Sequence, residues 1–353
     1  MNRSRVLCIL LPLFSLLAGC GSRRSGPPAI GEAYVGPATL NIRKDLGLHR
    51  PTVATVKHGE RLDIVGRRRA FVQVRTESGA IGWVDGRQLF TTEQMAELRS
   101  VADRAAALPS QGQASIQEAL NVHTHPNRQS PSFRQLKTGE RVDVVAHRLE
   151  PRVPFRPDRP VQSLPPSAPM EDWSLVRTAD GKAGWVLFRL LFMAIPDEVA
   201  QYAEGHRITS YFSLGEVHDG DAVKHNWLWT TIARGLEPYE FDGFRVFVWS
   251  LRRHRYETAY IERNLRGYYP VELHPEQGGA PSFSLIIEDK DGVRSKRTYA
   301  FQGYRVRLIA TEPWNPGSDA PERIAGAEPP FQEQDQRSFF GRLWDKIKGI
   351  FGR

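Results

Sequence analysis

The sequence predicts an all-β chain: two small β-barrels joined by a spacer helix, then a C-terminal antiparallel β-sandwich or barrel domain and a terminal amphipathic helix. The main observation is that "GAIGWV" at Gly79–Val84 recurs as "GKAGWV" at Gly181–Val186, inside a longer internal repeat. The chain also has 25 prolines and 30 glycines in 353 residues, which indicates many turns and some extended linkers. Its length allows two or three domains, each with its own core.

The N-terminus predicts export. Two arginines precede an apolar run from Val6 to Leu17, which is too short to span a bilayer as a mature helix but suits a secretory signal. The run ends in "LAGC" and resembles a bacterial lipobox, in which the cysteine receives a diacylglyceryl group. We therefore predict a signal peptide over 1–19, lipidation of Cys20 and a linker over 20–32. An ordinary signal peptide or a signal anchor is the alternative.

The lipobox implies a place in the bacterial cell envelope, anchored by lipid. Gly21 is not the aspartate that retains lipoproteins in the inner membrane of many Gram-negative bacteria, so the resemblance points to an outer membrane, facing the periplasm, where there is one. Cys8 and Cys20 are the only cysteines, and processing leaves one, which carries lipid. The mature chain then has no disulfide, no thiol nucleophile and no thiolate metal site.

The charge excess is modest. Removing residues 1–19 takes two arginines from 48 basic residues, so 46 face 40 acidic ones and the formal charge falls from +8 to +6. This suits attraction to anionic envelope polymers or head groups, and equally a solvated surface with slightly more arginine. No nucleic-acid motif accompanies it. We expect neither a nucleic-acid partner nor a cofactor.

The internal repeat has two offsets. The first offset, of 80 residues, relates "LNIR" and "GERLDIV" to "LNVH" and "GERVDVV", at Leu40, Gly59, Leu120 and Gly139. Further on, "FVQVRTESGAIGWV" from Phe71 aligns with "WSLVRTADGKAGWV" from Trp173 at an offset of 102. The second copy has therefore gained 102 − 80 = 22 residues, visible as a proline-rich insert over 150–170.

Each copy is predicted to form a small barrel. Leu62 and Ile64 alternate with polar residues as a half-buried strand requires, and Gly79 marks a hairpin that leads to the strand with Trp83. About sixty residues with several short strands make a small closed sheet. We expect the indole of Trp83, or of Trp185 in the second copy, to pack against the first strand of its barrel.

These motifs resemble those of bacterial SH3 domains. The order strand, glycine turn, strand, aromatic strand and Gly-Trp-Val strand is found over 33–91 and again over 114–195. The resemblance implies binding of peptidoglycan peptides, other wall polymers or protein partners, and it does not imply catalysis.

The second copy departs from the family pattern. It has His123 where the family usually has arginine, and its insert lies in a loop that borders the ligand groove in the resembling fold, where it either reshapes that groove or remains an exposed loop. Basic residues gather in this loop of both copies. The binding hypothesis, for an acidic partner, rests on Arg67, Arg68, Arg69, Arg148, Arg152 and Arg156. A solvated charge run is the alternative.

The region 92–113 between the copies is predicted to be a spacer helix and linker. Thr91 with Gln94 makes a capping box, and Pro109 ends the run. Apolar residues recur at helical spacing at Met95, Leu98, Val101, Ala102, Ala105 and Leu108. We expect this stripe to pack on a barrel, because a helix of this length needs tertiary support.

The region 196–310 is predicted to be an antiparallel β domain. "DKDG" at Asp289 lacks the later carboxylate of a calcium loop and predicts a hairpin turn. Its aromatic residues are expected in the core. Glu216, Asp219 and Asp221 fit no helical metal motif, so we expect no metal site; they are the candidates for an alternative function as a wall-glycan hydrolase.

The chain ends with a predicted linker over 311–337 and an amphipathic helix over 338–353. Its apolar face contains Phe340, Leu343, Trp344 and Ile347, opposite basic residues. Docking on the chain's own domains and lying in a membrane surface are the two interpretations.

The function hypothesis is a lipid-anchored envelope binding or scaffold protein, not an enzyme. Its partners would be membrane lipid, through the acyl anchor, and a wall polymer or an envelope protein, bound by the paired modules with avidity. The alternatives are the hydrolase above and an envelope assembly factor.

Overall fold

The computed structural model describes residues 26–46, 50–154, 168–233, 235–274 and 281–314. They form three seven-stranded antiparallel sheets and two α-helices. No helix in these ranges combines the length and apolar character that crossing a bilayer needs. Several residues of the sequence predictions lie outside the described residues: Cys20, Arg156, Phe340, Leu343, Trp344 and Ile347.

The first module is the sheet between residues 31 and 90. Its strands are β1 (Gly31–Val35), β2 (Thr39–Arg43), β3 (Thr52–Lys57), β4 (Arg61–Arg68), β5 (Phe71–Arg75), β6 (Ile81–Asp85) and β7 (Leu89–Phe90). They pair in the order β3-β2-β6-β5-β4-β1-β7. Alternate residues such as Ile42, Leu62 and Val74 are buried in one apolar core, because successive side chains of a strand point to opposite faces.

The second module is the sheet between residues 113 and 193. Its strands are β8 (Gln113–Ile116), β9 (Leu120–His123), β10 (Ser132–Leu136), β11 (Arg141–Pro151), β12 (Met170–Arg177), β13 (Ala183–Leu187) and β14 (Leu191–Met193). The order β10-β9-β13-β12-β11-β8-β14 is that of the first module, with seven added to each label. The repeated phrases therefore form the same sheet twice.

Helix α1 (Thr92–Ala107) connects the modules. The predicted capping box is present: the Gln94 N–H donates to Thr91 Oγ1 at 3.3 Å, and the Thr91 N–H donates to Gln94 Oε1 at 2.9 Å. The predicted apolar stripe is buried at Met95, Leu98, Val101 and Ala105. It packs on the second module, where the last two residues share a cluster with Trp185.

The described ends of the insert extend the hairpin of β11 and β12. The Arg152 N–H donates to the Pro169 carbonyl at 2.8 Å, which adds a rung beyond Pro151 and Met170. Asn127 Nδ2 donates to the Val153 carbonyl at 2.8 Å and so fastens this arm to the loop after β9.

The C-terminal sheet comprises residues 207–313. Its strands are β15 (Arg207–Asp219), β16 (Ala222–Ile232), β17 (Phe241–Ser250), β18 (Arg255–His274), β19 (Ser282–Glu288), β20 (Arg294–Gln302) and β21 (Arg305–Pro313). Each strand pairs with the next along the chain, so the domain is antiparallel as predicted. It is one continuous meander, however, and not two packed sheets or a barrel closed by pairing of β15 with β21. Both faces carry apolar clusters, one around Phe244 and Phe283 and the other around Trp229 beneath helix α2 (Asp197–Ala200). The aromatic residues Trp229, Phe241 and Trp249 are core, as predicted, whereas Trp227 and Tyr239 are only half-buried.

The segment between α1 and β8, which enters the second module, also contacts the C-terminal sheet. Buried Gln111 bonds the main chain of Val271 with both ends of its amide: Oε1 accepts from the N–H at 3.0 Å, and Nε2 donates to the carbonyl at 3.4 Å. Next to it, Gly112 has a φ of 118°, and a Cβ there would lie 2.8 Å from the Tyr211 ring. Only glycine satisfies both conditions at this contact.

Candidate functional site

An open groove lies on the outer surface of the first module, where β2, β5 and β6 adjoin. Arg43 pairs with Trp83 across β2 and β6, and Phe71 pairs with Asp85 across β5 and β6. The groove has a volume of about 900 Å³. We call it the aromatic groove; its lining includes Asn41, Arg43, Asp45, Phe71, Trp83 and Arg87.

The two aromatic side chains of the groove are accessible. Phe71 is 38% exposed and Trp83 is half-buried. The expectation for Trp83 is met in part: Trp83 pairs with Arg43 of the first repeated strand, but its indole lies outside the barrel interior. Val84 occupies that interior at 3% exposure, and its strand neighbour must face outward. A half-buried indole beside an exposed phenyl ring provides a surface on which sugar rings or apolar side chains can stack.

The groove has charges of both signs. Arg43 Nη1 donates to the Arg50 carbonyl at 2.9 Å and so shapes the loop that forms one rim. Arg87 donates to Asp85 at 2.6 Å, and this hydrogen bond lowers the pKa of the Asp85 carboxyl. Asp85 therefore stays ionised, and Arg43 and Arg87 place guanidinium groups in the groove.

The three arginines predicted to bind lie together beside this groove. Arg67, Arg68 and Arg69 are exposed on the hairpin of β4 and β5, and Arg68 pairs directly with Phe71 across the ladder. Within the described part of the chain, none of the three forms an ion pair. Arg69 has a φ of 54°, which fits the tight turn of this hairpin.

The predicted arginines of the second module are not grouped in this way. The Arg148 guanidinium lies over the Trp185 ring, 5.3 Å from its centroid, and Arg148 pairs with Glu150 at 3.3 Å. Arg152 is exposed and lies 3.8 Å from a carboxylate oxygen of Glu171. Arg156 is outside the described residues. The five described arginines therefore do not form one surface.

The surface of the second module equivalent to the aromatic groove is closed. Trp173 and Trp185, which align with Phe71 and Trp83, are 0% and 3% exposed and pack in one cluster with Val101 and Ala105 of α1. The repeat itself gave no sign of this difference; the apolar stripe of α1 was the available signal.

His123 takes the structural role of Arg43 in this closed surface. Its Nδ1–H donates to the Ser130 carbonyl at 3.0 Å, as Arg43 donates to Arg50, and its ring meets Trp173 edge-on at 5.6 Å. Burial lowers the pKa of His123, so the ring is neutral at pH 7. Histidine in place of arginine at this position therefore keeps the hydrogen bond to the loop carbonyl and removes the positive charge.

A buried histidine connects the second module to the C-terminal sheet. His147 Nε2 lies 2.6 Å from Asp172 Oδ1, and its Nδ1 lies 3.3 Å from Glu240 Oε1. Burial alone would lower the pKa of His147, but the hydrogen bonds and the negative charges of both carboxylates raise it to about 9. A protonated His147 therefore bridges the two domains.

The three carboxylates of the hydrolase alternative lie at one end of the hairpin of β15 and β16. Asp219 Oδ2 accepts from Trp249 Nε1 at 2.8 Å and contacts His254 Nδ1 at 2.7 Å, and these bonds lower the pKa of Asp219. Glu216 pairs in the ladder with His225, and Asp221 is exposed in the turn. Asp219 thus fastens the hairpin to the loop after β17.

The acidic motif at Asp289 has a structural explanation. Asp289 Oδ1 accepts the N–H groups of Asp291 and Val293, both at 2.9 Å, as in the predicted hairpin turn. Among the described residues, no group of three or more His, Cys, Asp or Glu side chains is arranged to hold a metal ion.

Comparison with known proteins gives structural matches only. No family model and no curated protein matches the sequence. The chain is similar in structure to NlpC2 from Trichomonas vaginalis, with 12% identity over 82% of this chain and 98% of that one and a TM-score of 0.16. It is also similar to NlpC1 from Trichomonas vaginalis, with 12% identity over 82% and 94% and a TM-score of 0.15. An NlpC/P60 family protein from Bacillus cereus matches with 10% identity over 83% and 97% and a TM-score of 0.21.

Proposed function

We propose that this chain is a lipid-anchored binding protein of the bacterial cell envelope, in which the aromatic groove of the first module binds an anionic wall polymer. One observation carries the proposal: two modules of the same topology differ in that Phe71 is 38% exposed while its counterpart Trp173 is fully buried. Large exposed aromatic side chains beside unpaired arginines are typical of binding surfaces.

The chemistry of the groove indicates the ligand class. Phe71 and Trp83 provide flat apolar area for sugar rings or peptide side chains, and Arg43 and Arg87 provide donors within the groove. The hairpin arginines add positive charge beside Phe71. Peptidoglycan combines sugar rings with peptide carboxylates, so it meets both requirements.

The second module then serves as scaffold. Its equivalent aromatic residues are buried beneath α1, and its hairpin connects to the C-terminal sheet through His147. The hypothesis that both modules bind with avidity is therefore replaced by a proposal of one binding module on a rigid support.

Sedimentation with purified peptidoglycan tests the groove. We expect Phe71→Ala to weaken binding at least tenfold, and Arg68→Gln to weaken it less and to reduce its salt dependence. Phe192→Ala is the matched control, because Phe192 is 50% exposed and lies outside the groove.

Three outcomes would contradict the proposal. Unchanged peptidoglycan binding by a folded Phe71→Ala variant would show that the groove is not the binding site. If the protein retains envelope proteins but not peptidoglycan in a pull-down, the assembly-factor alternative is favoured. A zymogram band that Asp219→Asn abolishes would favour the hydrolase.

The anchor has a separate test. If Cys20 is lipidated, Cys20→Ser should leave an unacylated precursor of higher mass, while Cys8→Ser should be processed normally. Identical mature masses for the wild type and Cys20→Ser would contradict the lipid anchor.

A further inference from the structure

A second concave site lies between the second module and the C-terminal sheet, away from the aromatic groove. It has a volume of about 470 Å³, within the range of small-molecule pockets. One wall comes from the hairpin arm and the turn after β13. The other comes from the start of β15, the end of β16 and the loop after β16. We call it the interdomain cavity.

Much of the cavity wall is apolar. Met170, Leu187 and Phe188 face it from the second module, and Ile232 and Leu236 face it from the C-terminal sheet. Phe188 and Ile232 are buried in the protein, so the floor is fixed, while Leu236 is 52% exposed at the cavity. An apolar chain would find contacts on both sides.

The charged residues of the cavity are mostly arginines. Of the described residues, four arginines line it, Arg128, Arg152, Arg189 and Arg207, together with two carboxylates, Glu171 and Asp172. Both carboxylates already have cationic partners: Glu171 contacts Arg128 Nε at 2.7 Å, and Asp172 contacts His147 Nε2 at 2.6 Å.

Two of the arginines are not matched by a carboxylate. Arg207, largely buried beneath the Phe188 ring, donates to the main-chain carbonyls of Phe188 and Leu191. Arg189 is exposed and forms no ion pair with the described residues. The cavity therefore has excess positive charge next to apolar walls.

Leu236 gives an independent indication. Its φ of 65° lies in the left-handed region, which a leucine rarely adopts. Its N–H donates to Asp172 Oδ2 at 3.3 Å, which holds the loop in this conformation and keeps the side chain on the cavity. Strained residues that the surroundings hold in place cluster at ligand sites.

We propose that the interdomain cavity binds a small amphiphile with one anionic head group, a carboxylate or a phosphate, and an apolar chain. The head group lies at Arg189 and Arg207, and the chain lies along Leu187, Ile232 and Leu236. This site is separate from the aromatic groove and does not depend on the proposed function.

Calorimetry with single-chain probes below their micelle concentrations tests the proposal. The protein is the mature chain from Cys20, produced without the acyl group. We expect dodecanoate or dodecyl phosphate to bind at least tenfold more tightly than dodecyltrimethylammonium or dodecyl maltoside. Whichever anionic probe binds better identifies the head group. Inorganic phosphate alone should bind more weakly than either, because it lacks the chain.

Variants separate binding from folding. Arg189→Gln should weaken binding of the anionic probe at least tenfold. Arg307→Gln, at an exposed arginine of β21, should leave this binding unchanged. Leu236→Gly should raise the melting temperature, because glycine adopts the left-handed conformation readily. It should nevertheless weaken binding of the probe, because the leucine side chain is removed from the cavity wall.

Three results would overturn the proposal: no anionic probe binds, cationic and neutral probes bind equally well, or Arg189→Gln and Leu236→Gly bind like the wild type.

Discussion

The two modules have the same strand order and the same Gly-Trp-Val strand, yet one exposes its outer aromatic surface and the other buries it. Phe71 and Trp83 face an open groove, while Trp173 and Trp185 lie beneath α1. The difference does not come from the sheets, which match strand for strand. A repeated module is therefore a binding surface or a structural support according to the segment that covers it.

An arginine–aspartate pair that is repeated in both modules shows how the chain entering each sheet is held. Arg75 donates to Asp63 at 2.9 Å and to the Pro27 carbonyl at 2.9 Å. Its counterpart Arg177 donates to Asp143 at 3.2 Å and to the Ala105 carbonyl at the end of α1, at 2.9 Å. In both modules the same arginine binds the chain that enters the sheet, which is an extended segment in one and a helix in the other.

The largest expected effect concerns the closed surface. Trp173→Ala removes a fully buried indole and should lower the free energy of unfolding by about 3 to 5 kcal/mol, as should Trp185→Ala. Urea denaturation followed by circular dichroism measures this loss.

A second substitution at this position is the control. The Trp173 Nε1–H is buried and has no hydrogen-bond partner among the described residues. Trp173→Phe keeps a ring and deletes that N–H, so it should cost less than about 1.5 kcal/mol. Equal losses for both variants would contradict the account of this surface.

The arginine pairs should differ in the same measurement. Arg75 and Asp63 have side chains 7% and 9% exposed, so Arg75→Gln removes the main partner of a buried carboxylate and should cost about 3 kcal/mol. Arg177 and Asp143 are 23% and 29% exposed, and Arg177→Gln should cost about 1 to 2 kcal/mol. A larger loss of stability for Arg177→Gln than for Arg75→Gln would mean that the contact with α1 contributes more to stability than the buried ion pair.

A pH effect is expected from His147 of the second module. His147 aligns with exposed Arg67 of the first module, but its pKa is raised to about 9 in the folded protein from 6.5. A raised folded pKa stabilises the protein fully below pH 6.5, and this stabilisation is lost as the pH rises toward 9. We expect a loss on the order of 2 kcal/mol over that window.

The measurement compares unfolding free energies at pH 6.5, 7.5 and 9. His147→Gln should be less stable at pH 6.5 and should lose less stability toward pH 9 than the wild type. Parallel curves for the two proteins would show that other groups cause the pH dependence.

Local patterns predicted much of the fold. The repeat offsets, the capping box at Thr91 and the apolar stripe of α1 depend on neighbouring residues, and the structure contains all three. The candidate site was less accessible to sequence reasoning. The arginines at 67–69 were found from their recurrence, but nothing local shows that His147 meets Glu240, 93 residues away, or that Arg148 lies on Trp185.

The smallest expected effect tests the open groove, where the sequence placed Trp83 in the core. Because Val84 fills the interior and Trp83 faces the groove, Trp83→Ala should cost about 1 kcal/mol, well below Trp185→Ala, and Phe71→Ala should cost no more. Acrylamide quenching gives a second measurement: Trp83→Phe should remove an accessible component of the tryptophan fluorescence, whereas Trp185→Phe should not. If Trp83→Ala unfolds the first module as Trp185→Ala unfolds the second, the indole supports the fold, and the contrast between an open and a closed aromatic surface is lost.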